Sequence, residues 1–341
     1  MSAPDSRITL SGAPGSPYTR KMLAVLRYRH IPYRLVLGLF SAEGLPNPKV
    51  TLLPTFYFPD AEGQLQAVTD STPIIRRLEG MVSGRSVRPS DPALALLDAL
   101  LEDYGDEWLT KAMFHYRWHY AEDIAKASEV LPSWRGRLTD AQLKAAGTAF
   151  ADRQIPRLRY VGSNEATWGV IEASYIRFLE AMEAHLTEHG FLLGARPGAG
   201  DFGVFGQLTQ LALFDPTPMA LTAARAPRVL AWTAAMDDMS GIEPTEVDWF
   251  SPAALPDTLK TVLKEVGRVY APLLMANARA VQSGAEEVRT EIDGQVWVQQ
   301  PFTYQTKCLM WLREEYGALD AMSRGQVDAA LAGTGCEVLF G

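Results

Sequence analysis

"SGAPGSPYTRKMLAVLRYRHIPY", residues 11–33, sets a turn of small residues and a Ser16-Pro17 pair ahead of a segment with apolar residues at helical spacing. Ser16 suits the N-cap of that helix, and Pro17 its first position, where a missing N–H costs nothing. Met22, Val25 and Leu26, with Arg29, mark one face. A hydroxyl and free backbone N–H groups at a helix start also make a place to stabilise an anion, whether phosphate, carboxylate or thiolate. The remainder of the chain has to decide between a cap and an anion site.

Around this stretch short β-like runs alternate with helical ones. Ile8 to Leu10 reads as a strand before the turn, and "YRLVLGL" (33–39) as a second strand after the helix. "TFYF" (55–58) and "LQAVT" (65–69) are β-rich and separated by the turn-forming "PDAEG". "STPIIRRLEG" (71–80) opens a short helix with Ser71 or Thr72 at its cap and Pro73 in its first turn. The order βαβ followed by ββα predicts an α/β layer structure over residues 1–82.

Residues 80–91, "GMVSGRSVRPSD", lack periodicity and are rich in Gly, Ser, Pro and Arg, the composition of a linker. Beyond them the pattern is helical as far as 241. Leu94, Leu97, Leu101, Tyr104 and Trp108 form one stripe, and Ile171, Tyr175, Phe178, Met182 and Leu186 another. A helix over 138–161 should bend at Pro156. An all-α domain is therefore expected over 83–241. A further α+β extension is expected over 242–341, opening with a helical stripe from Leu259 to Leu273. There "VRTEIDGQVWVQ" (288–299) alternates about Asp293-Gly294, a hairpin signal. The stripe needs a partner surface, so the extension should pack on the helical domain.

A chain of 341 residues with 47% hydrophobic and 21% charged residues is globular and long enough for about two domains. Its 32 Lys and Arg against 40 Asp and Glu give a net charge of -8, which draws it to neither nucleic acid nor an anionic membrane. The start, "MSAPDSRITL", has no charged segment leading into an apolar run, and no stretch approaches a membrane span. A cytoplasmic location is expected. The two cysteines, Cys308 and Cys336, exclude a disulfide framework and a CxxC centre.

"GAGDFG" matches G-x-G-x-x-G at Gly198, Gly200 and Gly203, but its helical surroundings speak against a dinucleotide site. His115 and His119 share a helix face at i and i+4, yet the glutamate of HExxH is missing and no third ligand is evident, so no metal is expected. No G-x-S-x-G elbow occurs. Three features of the first domain remain: Ser16 at a helix start, Pro54 opening a strand in a position suited to a cis bond, and Asp70-Ser71 between a strand and a helix.

"SPYTRK", then "LLP" opening a strand, then "TDSTPII", in this order and spacing, resembles the thioredoxin-like domain of cytosolic glutathione transferases. "FLLGARPGAGDFGVFGQL" (191–208) is similar to that family's second-domain motif, in which a capping Ser or Thr stands three residues before an Asp. Here the Asp is Asp201, Gly198 stands at the cap and Gly200 replaces a usual Ala. Gly is an acceptable cap, so a weakened helix start is expected. The resemblance covers roughly residues 7–240.

The resemblance implies an α/β thioredoxin-like domain, an all-α domain and glutathione as co-substrate. It gives Ser16 the catalytic place, where related classes carry Ser or Cys. Leu53 and Pro54 would present backbone to the peptide of glutathione. Asp70 would face its γ-glutamyl ammonium, Ser71 its γ-glutamyl carboxylate, and Lys49 its glycyl carboxylate. The electrophile would sit against an apolar wall drawn from Tyr18, Tyr104, Trp108, Phe114, His115 and Trp118, with Met113 and Tyr116 nearby. A homodimer is implied as well. Serine rather than cysteine favours conjugation or displacement over disulfide exchange. The alternatives are a transferase-like protein that binds ligands or partners without turnover, and a glutathione-dependent isomerase, etherase or dehalogenase.

Overall fold

The computed structural model of the chain describes residues 7–37 and 44–341. Its first layer is a mixed sheet of β1 (Ile8–Gly12), β2 (Tyr33–Leu37), β3 (Thr55–Pro59) and β4 (Leu65–Val68), in the order β2-β1-β3-β4. β1 and β2 are parallel, with Leu10 opposite Leu35, and β3 runs antiparallel to both β1 and β4. A parallel pair needs a crossover, which α1 (Pro17–Tyr28) supplies. The second strand ends at Leu37; Gly38 and Leu39 lie outside the described residues. Met22, Val25 and Leu26 of α1 are buried with Leu10, Phe56 and Phe58 of the sheet, and with Ile74, Ile75 and Leu78 of α2 (Ser71–Met81).

Residues 82–91 are bound on both sides. Arg29 donates to the carbonyl of Val82 at 2.5 Å, Arg196 to that of Ser86 at 2.6 Å, and the Ala199 N–H to that of Val87 at 2.8 Å.

The helical part runs through α3 (Pro92–Tyr104), α4 (Thr110–His119), α5 (Ala121–Val130), α6 (Asp140–Gln154), α7 (Trp168–His185), α8 (Ala199–Leu211), α9 (Pro216–Arg225) and α10 (Pro227–Ala235). A π-helical segment, Gly105–Leu109, joins α3 to α4 where the sequence predicts one regular helix. α8 crosses at this point so closely that a Cβ on Gly105 would lie 2.7 Å from the backbone of Gly203 and Val204. After α6 the chain tightens into a 3₁₀ turn containing Pro156, the bend expected there.

The start of α8 corrects the expectation of a weak cap. Asp98, on α3, accepts from the Ala199 and Gly200 N–H groups at 3.1 and 2.9 Å. Asp201 accepts from the Gly198 and Leu192 N–H groups at 2.9 Å each. The donors at the helix start are thus satisfied by two buried carboxylates. A Cβ on Gly198 would lie 2.4 Å from Asp98 Oδ1, and one on Gly200 2.8 Å from Leu101 Cβ. The G-x-G-x-x-G match is a helix-packing feature.

The extension consists of α11 (Asp257–Glu265), a π-helical segment (Val266–Tyr270), α12 (Ala271–Ser283), the hairpin β5 (Val288–Ile292) and β6 (Gln295–Gln299), α13 (Thr303–Ala318) and α14 (Ala321–Leu331). Asp293 and Gly294 turn the hairpin at φ 54° and 73°, as a primed turn requires. α11 packs on α7, while α13 and α14 pack on α3. Trp297 of β6 is buried against Trp108, with ring centroids 5.3 Å apart. Among the described residues no helix is long and apolar enough to cross a membrane.

Candidate functional site

Ser16 is the N-cap of α1. Its hydroxyl accepts from the Thr19 N–H at 3.2 Å and donates to the carbonyl of Leu53 at 3.3 Å. One hydroxyl can do both, having a donor and two lone pairs. The Leu53–Pro54 peptide is cis, and the Ser16 bond to the Leu53 carbonyl ties the helix start to the turn into β3. Ser16 and Leu53 are half-buried; Pro54 is buried.

The turn before Ser16 is held by the helical domain. Arg117 of α4 donates to the carbonyl of Gly15 at 3.0 Å, and Gln210 of α8 to that of Pro14 at 3.2 Å. Arg117 is itself fixed by a bidentate pair with buried Asp215 and a 2.7 Å bond to Gln210. This guanidinium and its carboxylate are fully enclosed, so the pair positions the turn rigidly at the cost of desolvating both charges.

Ser71 opens α2, and Asp70 precedes it with φ 85°. The Ser71 hydroxyl receives a 3.2 Å bond from Lys21 of α1. Lys21 is fully buried, and its ammonium has three donors with three acceptors: Ser71, Glu102 Oε1 at 2.7 Å and Asp106 Oδ2 at 2.5 Å. Burial opposes its charge, yet the two carboxylates win and hold its pKa above the usual lysine value. Lys21 thereby links the first helix, the N-terminus of α2 and the α3–π junction. Sequence reading passed over it because a lysine after "SPYTR" looks like an ordinary solvated charge.

Asp70 does not cap α2 with its side chain. Its Oδ2 accepts from the Tyr304 hydroxyl of α13 at 2.8 Å. Burial raises its pKa, against the opposing effect of the Tyr304 bond and of Lys21. A small cavity continues from here between α2, α3 and α13, lined by residues that include Thr72, Arg76, Asp103 and Cys308.

The other expected site residues are scattered. Lys49 is exposed on the stretch before β3. Tyr18 is half-buried and donates its hydroxyl to the carbonyl of Asp106 at 2.8 Å, so that proton is committed. Tyr104, Trp108, His115 and Trp118 are buried at 2% exposure or less, within the core and not on an open wall. Trp108 donates to Ser174 at 3.0 Å. His115 has Nδ1 2.8 Å from the Ser163 hydroxyl and Nε2 3.0 Å from Glu172, which occupies both ring nitrogens. Only Tyr18 and Phe114 of the six keep a partly open face. Helical periodicity cannot distinguish a core stripe from a pocket wall.

Two family models match: the glutathione S-transferase N-terminal domain over residues 10–86 and its C-terminal domain over residues 140–235, together just over half of the chain. The chain belongs to the glutathione S-transferase family. Solved structures similar to this glutathione S-transferase family member are remote. A glutathione S-transferase from Methylobacterium radiotolerans, in complex with glutathione sulfonate, is 21% identical at a TM-score of 0.41, over 68% of this chain and 91% of its own. A GST-like protein from Pseudomonas syringae is 16% identical at a TM-score of 0.42, over 68% of this chain and 66% of its own. The tau-class enzyme of mango, Mangifera indica, is 17% identical at a TM-score of 0.39, over 75% of this chain and 96% of its own. No curated protein matches.

Proposed function

We propose that this protein is a glutathione transferase of the serine type, which activates the glutathione thiolate for attack on a small apolar electrophile. The observation that carries this reading is the Ser16 hydroxyl at the start of α1, 3.3 Å from the carbonyl beside the cis Leu53–Pro54 peptide. A free thiol has a pKa near ~8.5, so at neutral pH only a few per cent is thiolate. In this reading Ser16 keeps the Thr19 N–H as its capping donor and turns its proton from Leu53 to the sulfur. The α1 N-terminus adds its partial positive charge. Asp70 takes the γ-glutamyl ammonium, and Ser71 with the first N–H groups of α2 takes the carboxylate beside it. Leu53 supplies backbone for the cysteinyl peptide, and Lys49 reaches the glycyl carboxylate. The thiolate displaces a leaving group or adds to an activated carbon, so no redox partner is required. A cytoplasmic homodimer belongs to the same reading.

A second reading, binding without turnover, is favoured by the burial of four of the six expected pocket residues. Calorimetric titration with glutathione, followed by turnover with chlorodinitrobenzene, separates the two. Binding with conjugation supports the transferase, binding without conjugation of any electrophile in a panel supports the second reading, and failure to bind glutathione refutes the transferase.

A further inference from the structure

The extension reaches the γ-glutamyl end of the candidate site through one side chain. Tyr304, near the start of α13, donates to Asp70 Oδ2 at 2.8 Å across 234 positions of sequence. Asp70 would ordinarily be expected to cap α2, as an Asp just before a helix does. Its carboxylate makes no such bond and its backbone sits at φ 85°. The carboxylate is gripped from α13 instead, while Lys21 and the Thr72 N–H also favour its charge.

α13 is built in as a fixed wall. Asn277 of α12 clamps residue 302 at both ends, donating to its carbonyl and accepting from its N–H at 2.8 Å each. Gln305 donates to Glu107 at 3.1 Å, and Cys308, Leu309 and Leu312 are buried on the inner face. At the other end Glu315 receives Arg76 of α2 and, at 2.9 Å, Arg88. A helix tied at its start, middle and end holds the Tyr304 hydroxyl in one place.

We infer that Tyr304 is a positioning residue for Asp70, making the C-terminal extension an integral part of the site that recognises the free ammonium of a γ-glutamyl ligand. The inference rests on the proposed glutathione reading. Tyr304 holds Oδ2, which leaves the other carboxylate oxygen to meet the ammonium in a fixed orientation. A ligand without that ammonium gains nothing from the arrangement.

The test compares the parent with Tyr304→Phe, which keeps the ring and removes the hydroxyl, using two ligands in calorimetry. One is glutathione, and the other is its desamino analogue, glutaryl-cysteinyl-glycine. Tyr304→Phe should bind glutathione about three- to tenfold more weakly, the range set by a hydrogen bond to a charged group acting through one intermediary. It should bind the desamino analogue within about twofold of the parent, since no ammonium is there to be oriented. Equal loss for both ligands would mean that the hydroxyl serves only structure and would overturn the inference. So would unchanged or tighter glutathione binding, the latter marking Tyr304 as a competitor for Asp70. If the parent binds no glutathione, the functional reading falls as well, so the two failures are distinct.

Discussion

Replacing Ser16 by Gly isolates the chemistry of its hydroxyl from its structural role. The hydroxyl makes two bonds, one from the Thr19 N–H at 3.2 Å and one to the Leu53 carbonyl at 3.3 Å. Ser→Ala at an N-cap costs about 1 kcal/mol, whereas Gly keeps capping to within a few tenths. Leu53 lies at a half-buried position where water can replace the lost donor. Ser16→Gly should therefore melt close to the parent. A hydrogen bond to a charged group is worth roughly 1.5–3 kcal/mol, and one pKa unit is about 1.4 kcal/mol. Loss of the donor should raise the thiol pKa of bound glutathione by about one to two units and slow conjugation about 10- to 100-fold below that pKa. Ultraviolet absorbance of the bound thiolate, followed against pH, reads the shift directly. An unchanged pKa in a folded Ser16→Gly protein that still binds glutathione would leave Ser16 as a cap. The donor would then have to be Thr19 or a backbone amide, since the Tyr18 hydroxyl is already given to Asp106.

Asp70→Ala should weaken glutathione binding about tenfold or more while leaving the protein folded, and a loss under about twofold in calorimetry would remove Asp70 from the site. Gly198→Ser restores the hydroxyl that the family motif carries, yet its Cβ would meet Asp98 Oδ1 at 2.4 Å. It should lower stability by about 1–3 kcal/mol in thermal melts, and a stabilised variant would refute the assignment of the cap to Asp98. Burial, with Asp103 and Asp106 alongside, raises the Glu107 pKa to about 8. A carboxyl raised in the fold contributes stability that is complete below its unfolded pKa near ~4.3 and is lost as pH rises towards the folded value. Glu107→Gln should consequently match the parent near pH 4.5 and exceed it increasingly up to about pH 8, by up to several degrees in scanning fluorimetry. A gap that does not widen over this window would show that Glu107 is ionised in the fold.

The first domain was legible because its signals are local. Ser16-Pro17 caps a helix, and "TFYF" and "LQAVT" flank a turn; in the extension Asp293-Gly294 closes a hairpin, and each signal depends on neighbours within a few positions. The π-helical segment at Gly105–Leu109 was not legible, since nothing in "YGDEWL" departs from helical periodicity. It lies where α8 approaches closely, at Gly203, nearly a hundred positions further along the chain. The burial of most of the aromatic stripe was hidden for a related reason. Periodicity identifies a face that must be covered, and the covering element for Trp108 is the hairpin residue Trp297.

Buried charge follows the same logic and accounts for the parts of the site that the sequence hid. Lys21, Glu102 and Asp106 each look like solvated helix positions, and none could be enclosed alone without a cost of several kcal/mol. They become tolerable only as a set, in which the three donors of one ammonium meet Ser71 and two carboxylates. That set exists where α1, α2 and α3 converge, so no single window of sequence contains it. The extension completes the arrangement from the other side: Gln305 donates to Glu107 and Tyr304 to Asp70. The segment after Gly241 thus closes the polar junction around Asp70 and Glu107. Under the proposed function, substitutions in α13 should accordingly be felt first at Asp70, before the Ser16 hydroxyl.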